Sequence, residues 1–338
     1  MPADLVLVSG ASGFVGTAVV LAFLEKGYRV RGTVRSQEKA DKWEKKHAAK
    51  FAEGQIEWAI VEDIAAPGAF DEAIKGVTIV AHTASPFHYE VTDNERDMLI
   101  PALEGTRQCL RAAQKEPSVK RVVVTSSFAA VLDFDRMSPD TTFTHEDWNS
   151  ATYDAAKKSD QAPYVYCASK KLAEEEAWKI AREPETKWKL STICPPMVFG
   201  PPLQVIESLK SLNTSSGAVW SVVDAEAVPE TQFPVGTDSR DIANLHVLAS
   251  TTDEGADKRF LCIAFHYDNT QIAQVAREAF PELKGRVPEA EVSGGAPHFM
   301  TDSSFVEQTF GYKWIPFEQS TKDTLAEILK VEKELNQQ

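Results

Sequence analysis

The chain has 338 residues, 43% hydrophobic and 25% charged, with 17 glycines and 18 prolines, a composition that excludes disordered, collagen-like and low-complexity classes. At roughly 150 residues per domain, this length predicts two domains or one large fold with an added lobe. The 36 Lys+Arg against 50 Asp+Glu give a net charge of −14, a field that repels phosphate backbones and anionic lipid heads and argues against nucleic-acid or membrane partners. Short runs rich in β-branched residues, Leu5–Val8, Tyr28–Val34, Ile56–Val61, Val77–Ala81 and Arg121–Thr125, each precede a helix-periodic stretch. That alternation predicts βαβ units, and the near-continuous apolarity of runs such as LVLV and RVVVT predicts strands covered on both faces. The fold class expected is α/β, a doubly wound parallel sheet of the Rossmann type with a smaller C-terminal substrate lobe.

Helices are predicted from Val15 to Lys26, from about Asn94 to Lys115, and from about Tyr164 to Ala181, the last after an irregular polar stretch from Asp133 to Ala162. A further strand from Lys189 to Ile193 runs into Pro195-Pro196 and a Gly200-Pro201-Pro202 turn, and Leu203 to Val235 has no clean period. Ser239-Arg240-Asp241 opens a helix to about Ser250, Arg259 to Ala264 reads as a late strand, and the chain finishes in a helix from about Glu318 to Leu335. This predicts a cofactor domain over 1–194 that also receives roughly 239–264, with 195–238 and 265–338 as the smaller lobe. No window of 18 apolar residues is present, and the first strand begins at Leu5, too early for a signal peptide, so a cytoplasmic protein is expected. Cys109, Cys167, Cys194 and Cys262 lie far apart without a CxxC pair, which predicts reduced buried thiols and neither a zinc site nor a disulfide framework. No His/Asp/Glu cluster has metal-ligand spacing, so no metal is expected.

Directly after the first strand stands Gly10-Ala11-Ser12-Gly13-Phe14-Val15-Gly16, opening into a helix. In that context Gly10 serves the tight turn, Gly13 lets backbone approach a pyrophosphate, and Gly16 lets the helix sit close to the sheet. The second strand ends Thr33-Val34-Arg35-Ser36 rather than in an acid. Arg35, with Lys39 one turn further on, therefore predicts an adenosine 2′-phosphate and NADPH as the cofactor, against the alternative of two solvated surface cations. Asp63, after the third strand and beside Ile64, is placed to meet the adenine amino group or to serve as a turn residue.

Tyr166 and Lys170 are four apart on one predicted helix, hence on one face. A neighbouring ammonium together with a positive nicotinamide favours a phenolate and makes the tyrosine a usable proton donor. Ser127, in Thr125-Ser126-Ser127 after the fifth strand, falls at the carboxyl edge of the sheet, where it can hydrogen-bond a carbonyl oxygen. YxxxK alone more often means a packed ring beside a cation; joined to the glycine turn and the serine it reads as a catalytic set. His82 and His246 read as structural histidines, and Lys42 to Lys50 as a solvated charged face.

The glycine turn, Thr125-Ser126-Ser127, Tyr166 to Lys170, Pro195 to Pro201 and Ser239-Arg240-Asp241 together resemble the extended short-chain dehydrogenase/reductase family over essentially the whole chain. Within it, Arg35 to Lys39, Ala84-Ser85-Pro86-Phe87 and Tyr166 to Lys170 are most similar to the fungal NADPH-dependent aldehyde and ketone reductases of the methylglyoxal-reductase type. The plant dihydroflavonol and cinnamoyl-CoA reductases are more distant. The resemblance implies Ser127, Tyr166 and Lys170 as catalytic residues and Arg35 and Lys39 as 2′-phosphate contacts. It also implies Ala84, Pro195 and Val198 along the cofactor, and Phe87 and Phe128 in the substrate pocket, unless those rings are core. Two positions depart from the family pattern: Glu104 stands before Gly105 where Asn is expected, and Cys194 before Pro195 where Asn is common.

The expected activity is reduction of an aldehyde or ketone (α-dicarbonyls, β-keto esters and aryl ketones are candidates) by a monomer or homodimer acting on a small-molecule carbonyl substrate. A nucleotide-sugar epimerase or dehydratase of the same fold would need cations in the smaller lobe, and Val219 to Phe233 contains no Lys or Arg. A non-catalytic NADP sensor would have no need of Ser127, Tyr166 and Lys170 together.

Overall fold

The computed structural model describes residues 4–85, 91–292 and 298–337. In chain order, β1 (Leu5–Ser9), α1 (Phe14–Glu25), β2 (Arg29–Val34), α2 (Gln37–His47), β3 (Ile56–Ile60), β4 (Ile79–His82), α3 (Ile100–Lys115) and β5 (Arg121–Thr125) build the first part. A π-helical turn, Glu95–Leu99, leads into α3. Then come β6 (Thr142–Phe143), α4 (Tyr153–Lys158), α5 (Ala162–Ala181), β7 (Lys189–Cys194), β8 (Met197–Phe199), α6 (Thr214–Trp220), β9 (Val235–Asp238) and α7 (Ser239–Thr251). The chain closes with β10 (Lys258–Leu261), β11 (Phe265–His266), α8 (Asn269–Ala279), β12 (Met300–Thr301), α9 (Ser304–Phe310) and α10 (Phe317–Leu335).

Seven parallel strands lie in the order β10-β7-β5-β4-β1-β2-β3. The order reverses between β1 and β4, and it is outside the carboxyl ends of such a pair that ligands bind in open α/β sheets. Every residue of β1 is buried, as its unbroken apolarity requires, because helices cover both faces. On one side Phe23 and Leu24 of α1 pack with Ile242 and Leu245 of α7; on the other Leu110 of α3 packs with Ile180 of α5. At about 1.5–3 kcal/mol for each fully buried large side chain, these two layers hold the strand ends in place.

β6 pairs in parallel with β12, and three further strands form a sheet β11-β9-β8, with β8 parallel and β11 antiparallel to β9. A separate core fills it: Phe199, Val219, Ile272, Leu283, Leu325 and Leu329. The stretch without a clean period therefore contains α6, whose seven residues are too few to display one. The late strand lies in the main sheet but stops at Leu261, three residues before its expected end. Asp238, the residue before Ser239, caps α7 by accepting from the Arg240 amide (2.8 Å).

Candidate active site

At the end of β1, Gly10 adopts φ +64°, a region L side chains rarely enter, and a Cβ there would come 3.0 Å from Ala84 Cα. A Cβ on Gly16 would lie 2.2 Å from the Gly10 carbonyl oxygen. The Gly13 amide donates to Gly10 O (2.9 Å), and Gly13 is the N-cap of α1 with no side-chain cap on the first turn. Exposed Gly13 and half-buried Ser12, Phe14 and Val15 thus surround an uncapped, electropositive helix start, which is suited to a pyrophosphate.

Next to it β2 ends, and Arg35 is exposed with no hydrogen bond or ion pair to any described residue. Lys39 is exposed in the first turn of α2, near enough for its charge to lower the pKa of Glu207. Asp63, exposed after β3, accepts from the Ala65 amide (2.9 Å) and closes a local turn, and Ile64 packs against the core beneath. An uncapped helix N-terminus and an unengaged guanidinium on one sheet edge fit the two phosphate positions of NADPH. Lys45, Lys46 and Lys50 are exposed, as expected of a solvated charged face, while Lys42 also binds Glu207, Lys46 donates to Gln204 O (2.8 Å) and buried His47 meets Leu203 O (3.0 Å), so the helix touches the segment after the Gly200 turn.

On the far side of the switch point α5 presents half-buried Tyr166 and Lys170. The Lys170 ammonium lies 5.4 Å from the centre of the Tyr166 ring and donates to Ser85 Oγ (2.6 Å). Ser127 lies close enough to Tyr166 for its hydroxyl to act on the phenol. Ser127 also accepts from the Ala129 amide (3.1 Å), capping a short 3-10 turn, Phe128–Ala130. The three predicted catalytic residues are therefore together. Burial pushes the Tyr166 phenol up to about 12 against the opposing effect of Ser127, and pushes Lys170 down to about 8. Desolvation is the largest influence on the phenol, and the ammonium stands over the ring face.

Pro195 and Val198 are buried where β7 gives way to β8, and Pro195 O accepts from the Phe128 amide (2.8 Å), which fixes the serine turn against the strand end. Ala84 is half-buried, with its amide bonded to Ser9 Oγ (3.0 Å). Phe128 is only 3% exposed and packs with Phe143 and Phe299 at centroid distances of 6.0 and 5.6 Å. That ring is core rather than pocket wall, since the aromatic cluster consumes its surface. Phe87 lies outside the described residues. Glu104 turns to the surface of α3, paired with Arg107, and Cys194 Sγ faces Glu174.

His82 Nδ1 meets Ser9 Oγ (2.9 Å), and His246 bridges Ile242 O (2.8 Å) and Thr125 Oγ1 (2.7 Å). Both are held near 4 by burial, consistent with neutral structural histidines. Sequence reasoning missed Asn149, whose amide donates to Ala129 O (2.7 Å) and Cys167 O (3.1 Å), tying the irregular loop to both catalytic segments. It also missed the Glu174–Arg259 pair; in both cases the partners are far apart in sequence, and no local pattern signals them. Among the described residues no group of His, Cys, Asp and Glu has metal-site geometry, and no helix is long and apolar enough to cross a membrane.

A dinucleotide turn on the first strand, a Ser-Tyr-Lys set across the switch point and a second lobe define an extended short-chain dehydrogenase/reductase. The chain belongs to the 3-beta hydroxysteroid dehydrogenase/isomerase family, whose model matches residues 7–267. It is 39% identical to a Schizosaccharomyces pombe protein named as an uncharacterized oxidoreductase, over 97% of this chain and 98% of that one. It is 35% identical to an NADPH-dependent methylglyoxal reductase of Saccharomyces cerevisiae, again over 97% and 98%. The crystal structure of yeast methylglyoxal/isovaleraldehyde reductase Gre2 complexed with NADPH superposes with a TM-score of 0.87 at 33% identity, covering 97% of this chain and 99% of that one. A likeness to MoeE5 in complex with UDP-glucose and NAD, at 15% identity and TM-score 0.66, is one of fold alone.

Proposed function

We propose that the chain is an NADPH-dependent carbonyl reductase that converts aldehydes or ketones to alcohols. The observation that carries this reading is the convergence of the three side chains, with the Lys170 ammonium 5.4 Å from the centre of the Tyr166 ring and Ser127 close enough to act on its phenol. The fit of the glycine turn and Arg35 to NADPH supports it, as do relatives named for NADPH-dependent methylglyoxal reduction.

Gly10, Ser12, Gly13, Phe14, Val15 and Gly16 would hold the pyrophosphate, and Arg35 and Lys39 the 2′-phosphate. Asp63 and Ile64 would flank the adenine, with Ala84, Pro195 and Val198 along the nicotinamide. When bound, NADPH supplies the hydride. Ser127 holds the carbonyl oxygen as negative charge grows on it. Tyr166 gives its hydroxyl proton to that oxygen; a pKa raised to about 12 keeps the group protonated, the form a donor needs. Lys170, about 8, is mostly an ammonium at pH 7 and stabilises the phenolate left behind. Residues 1–194 with 239–264 serve the cofactor, and 195–238 with 265–338 the substrate. Methylglyoxal and 3-methylbutanal are the first substrates to try, followed by β-keto esters and aryl ketones.

The nucleotide-sugar alternative is disfavoured by the cation-free stretch Val219 to Phe233. The sensor alternative leaves the catalytic set without a use. Four buried free thiols accord with a reducing, cytoplasmic setting, and a monomer or homodimer suffices because the set lies within one chain. The test is Tyr166→Phe: turnover of a good substrate falls roughly 100-fold or more while NADPH affinity stays within about threefold. Wild-type turnover in that variant would falsify the proton-donor role.

A further inference from the structure

Eight residues beyond Tyr166 and four beyond Lys170, the same face of α5 carries Glu174, whose side chain is fully buried. Its carboxylate accepts from Ser126 Oγ (2.6 Å), Thr192 Oγ1 (2.7 Å), Trp178 Nε1 (3.3 Å) and two nitrogens of Arg259 (2.8 and 3.2 Å). Ser126 stands beyond β5, Thr192 lies in β7 and Arg259 in β10, so one carboxylate joins the catalytic helix to three neighbouring strand segments. Arg259 in turn donates to the carbonyls of His145 (3.0 Å) and Asp147 and lies 3.7 Å from the centre of the Trp148 ring. It thereby gathers in the irregular loop that Asn149 also fastens.

Ser126 is the residue before Ser127. Its amide donates to Ile193 O (2.7 Å) and its hydroxyl to Glu174, so it is held at both ends. A cavity of about 20 Å³, room for one water, is lined by Lys170, Glu174 and Ser126 together and places this junction directly under the catalytic lysine. A buried ion pair is a poor source of stability, because desolvation offsets its attraction; its better-attested use is to select one register among alternatives. At this site the register is that of Tyr166 and Lys170 on one element against Ser127 on another. Misplacement by about 1 Å costs on the order of 100-fold in rate.

We propose that Glu174, clamped by Arg259, is a positioning residue for the reductase centre: through Ser126 and the α5 register it sets the Ser127–Tyr166–Lys170 geometry without touching the reacting atoms. This rests on the carbonyl-reductase reading above. The experiment compares wild type, Glu174→Gln, Ser126→Ala and the apolar double variant Glu174→Met/Arg259→Met. Steady-state reduction of methylglyoxal and 3-methylbutanal, NADPH Kd by fluorescence, Tm, and amide hydrogen exchange over residues 126–128 are measured for each.

Glu174→Gln is expected to lose ten- to a hundredfold in kcat, with KM and NADPH Kd within about threefold. Exchange at Ser126 and Phe128 should rise at least tenfold while that of α1 is unchanged. Ser126→Ala, which removes one link only, should lose three- to tenfold in kcat at an unaltered Tm, and it decides the matter if Glu174→Gln does not fold. The double variant should recover Tm and not kcat. Recovery of kcat by the apolar pair, unchanged kcat and exchange in both single variants, or losses of kcat that merely follow Tm would overturn the proposal. Absence of carbonyl turnover in the wild type would instead sink the reductase reading, and the exchange and Tm measurements would still judge Glu174.

Discussion

Arg35 stands where an NAD-specific site carries an acid, and it is exposed with no carboxylate of the described residues engaging it. The 2′-phosphate of NADPH brings close to two negative charges and oxygens that match the guanidinium fork. A charge-assisted hydrogen bond is worth about 1.5–3 kcal/mol, and exposure argues for the lower half of that range, since unit charges about 4 Å apart in water attract by only about 1 kcal/mol. Arg35→Ala should therefore weaken NADPH by roughly ten- to thirtyfold, while NADH, which offers no phosphate there, changes less than about twofold. Lys39→Ala should cost about threefold or less, because its flexible stem is exposed and Glu207 already feels its charge. Titrating both dinucleotides by fluorescence at about 0.05 and 0.5 M salt adds a second signature: the Debye length shrinks from over 10 Å to under 5 Å, so the NADPH preference must narrow. Equal loss of NADPH and NADH in Arg35→Ala would reduce the arginine to a fold support, and a wild-type preference for NADH would remove the argument.

The reaction should also slow as pH rises through about 8, where Lys170 loses its proton; a pH–rate profile flat to pH 10 contradicts the role given to that ammonium. His82 and His246, buried neutral with pKa about 4, hold fewer protons folded than unfolded, so stability present above pH 6.5 is lost toward pH 4, on the order of 2 kcal/mol per histidine at pH 5. Asp241 acts oppositely: burial raises it to about 6, so its protonation on acidification favours the fold, and Asp241→Asn should steepen the fall in Tm between pH 7 and 5. A shallower slope in that variant would reverse the assignment. Gly16→Ala should lower Tm and weaken NADPH more than tenfold, since its Cβ has only 2.2 Å to the Gly10 carbonyl oxygen; wild-type affinity there would show that the turn can relax.

What the sequence made legible is what lies within one turn of helix or one strand end. The glycine turn, Arg35 after β2 and the Tyr166–Lys170 pair are local patterns whose chemistry is set by spacing, and the continuous apolar runs identified the parallel sheet because both faces need cover. Phe128 was ambiguous for a physical reason: a ring beside a catalytic serine can face a pocket or a core, and Phe143 and Phe299, 15 and 171 positions away along the chain, decide it. The short α6 and the two-residue strands β6, β11 and β12 have too little length for periodicity to register. Four-residue spacing reports the proximity of Lys170 to Tyr166 and says nothing of the desolvation of either.

The lysine-rich helix α2 shows the same limit of a local pattern. Its charges look solvated when only their own helix is considered, yet Lys42, Lys46 and His47 meet Glu207, Gln204 and Leu203, residues some 160 positions further on that follow the Gly200-Pro201-Pro202 turn. Lys39, assigned to the 2′-phosphate, lies one helical turn before Lys42 on the same face. On the proposed assignment one short helix would meet both the cofactor's adenosine end and the segment after the Gly200 turn, with Trp43 buried as its anchor in the core. The later part of the chain is fastened to the large sheet's helices at α2, by the Arg240–Asp323 bridge of 2.7 Å between α7 and α10, and by the bond from Tyr312 to Asp241 (2.9 Å). On the proposed assignment, the relative placement of hydride donor, carbonyl and proton donor is a property of the whole chain.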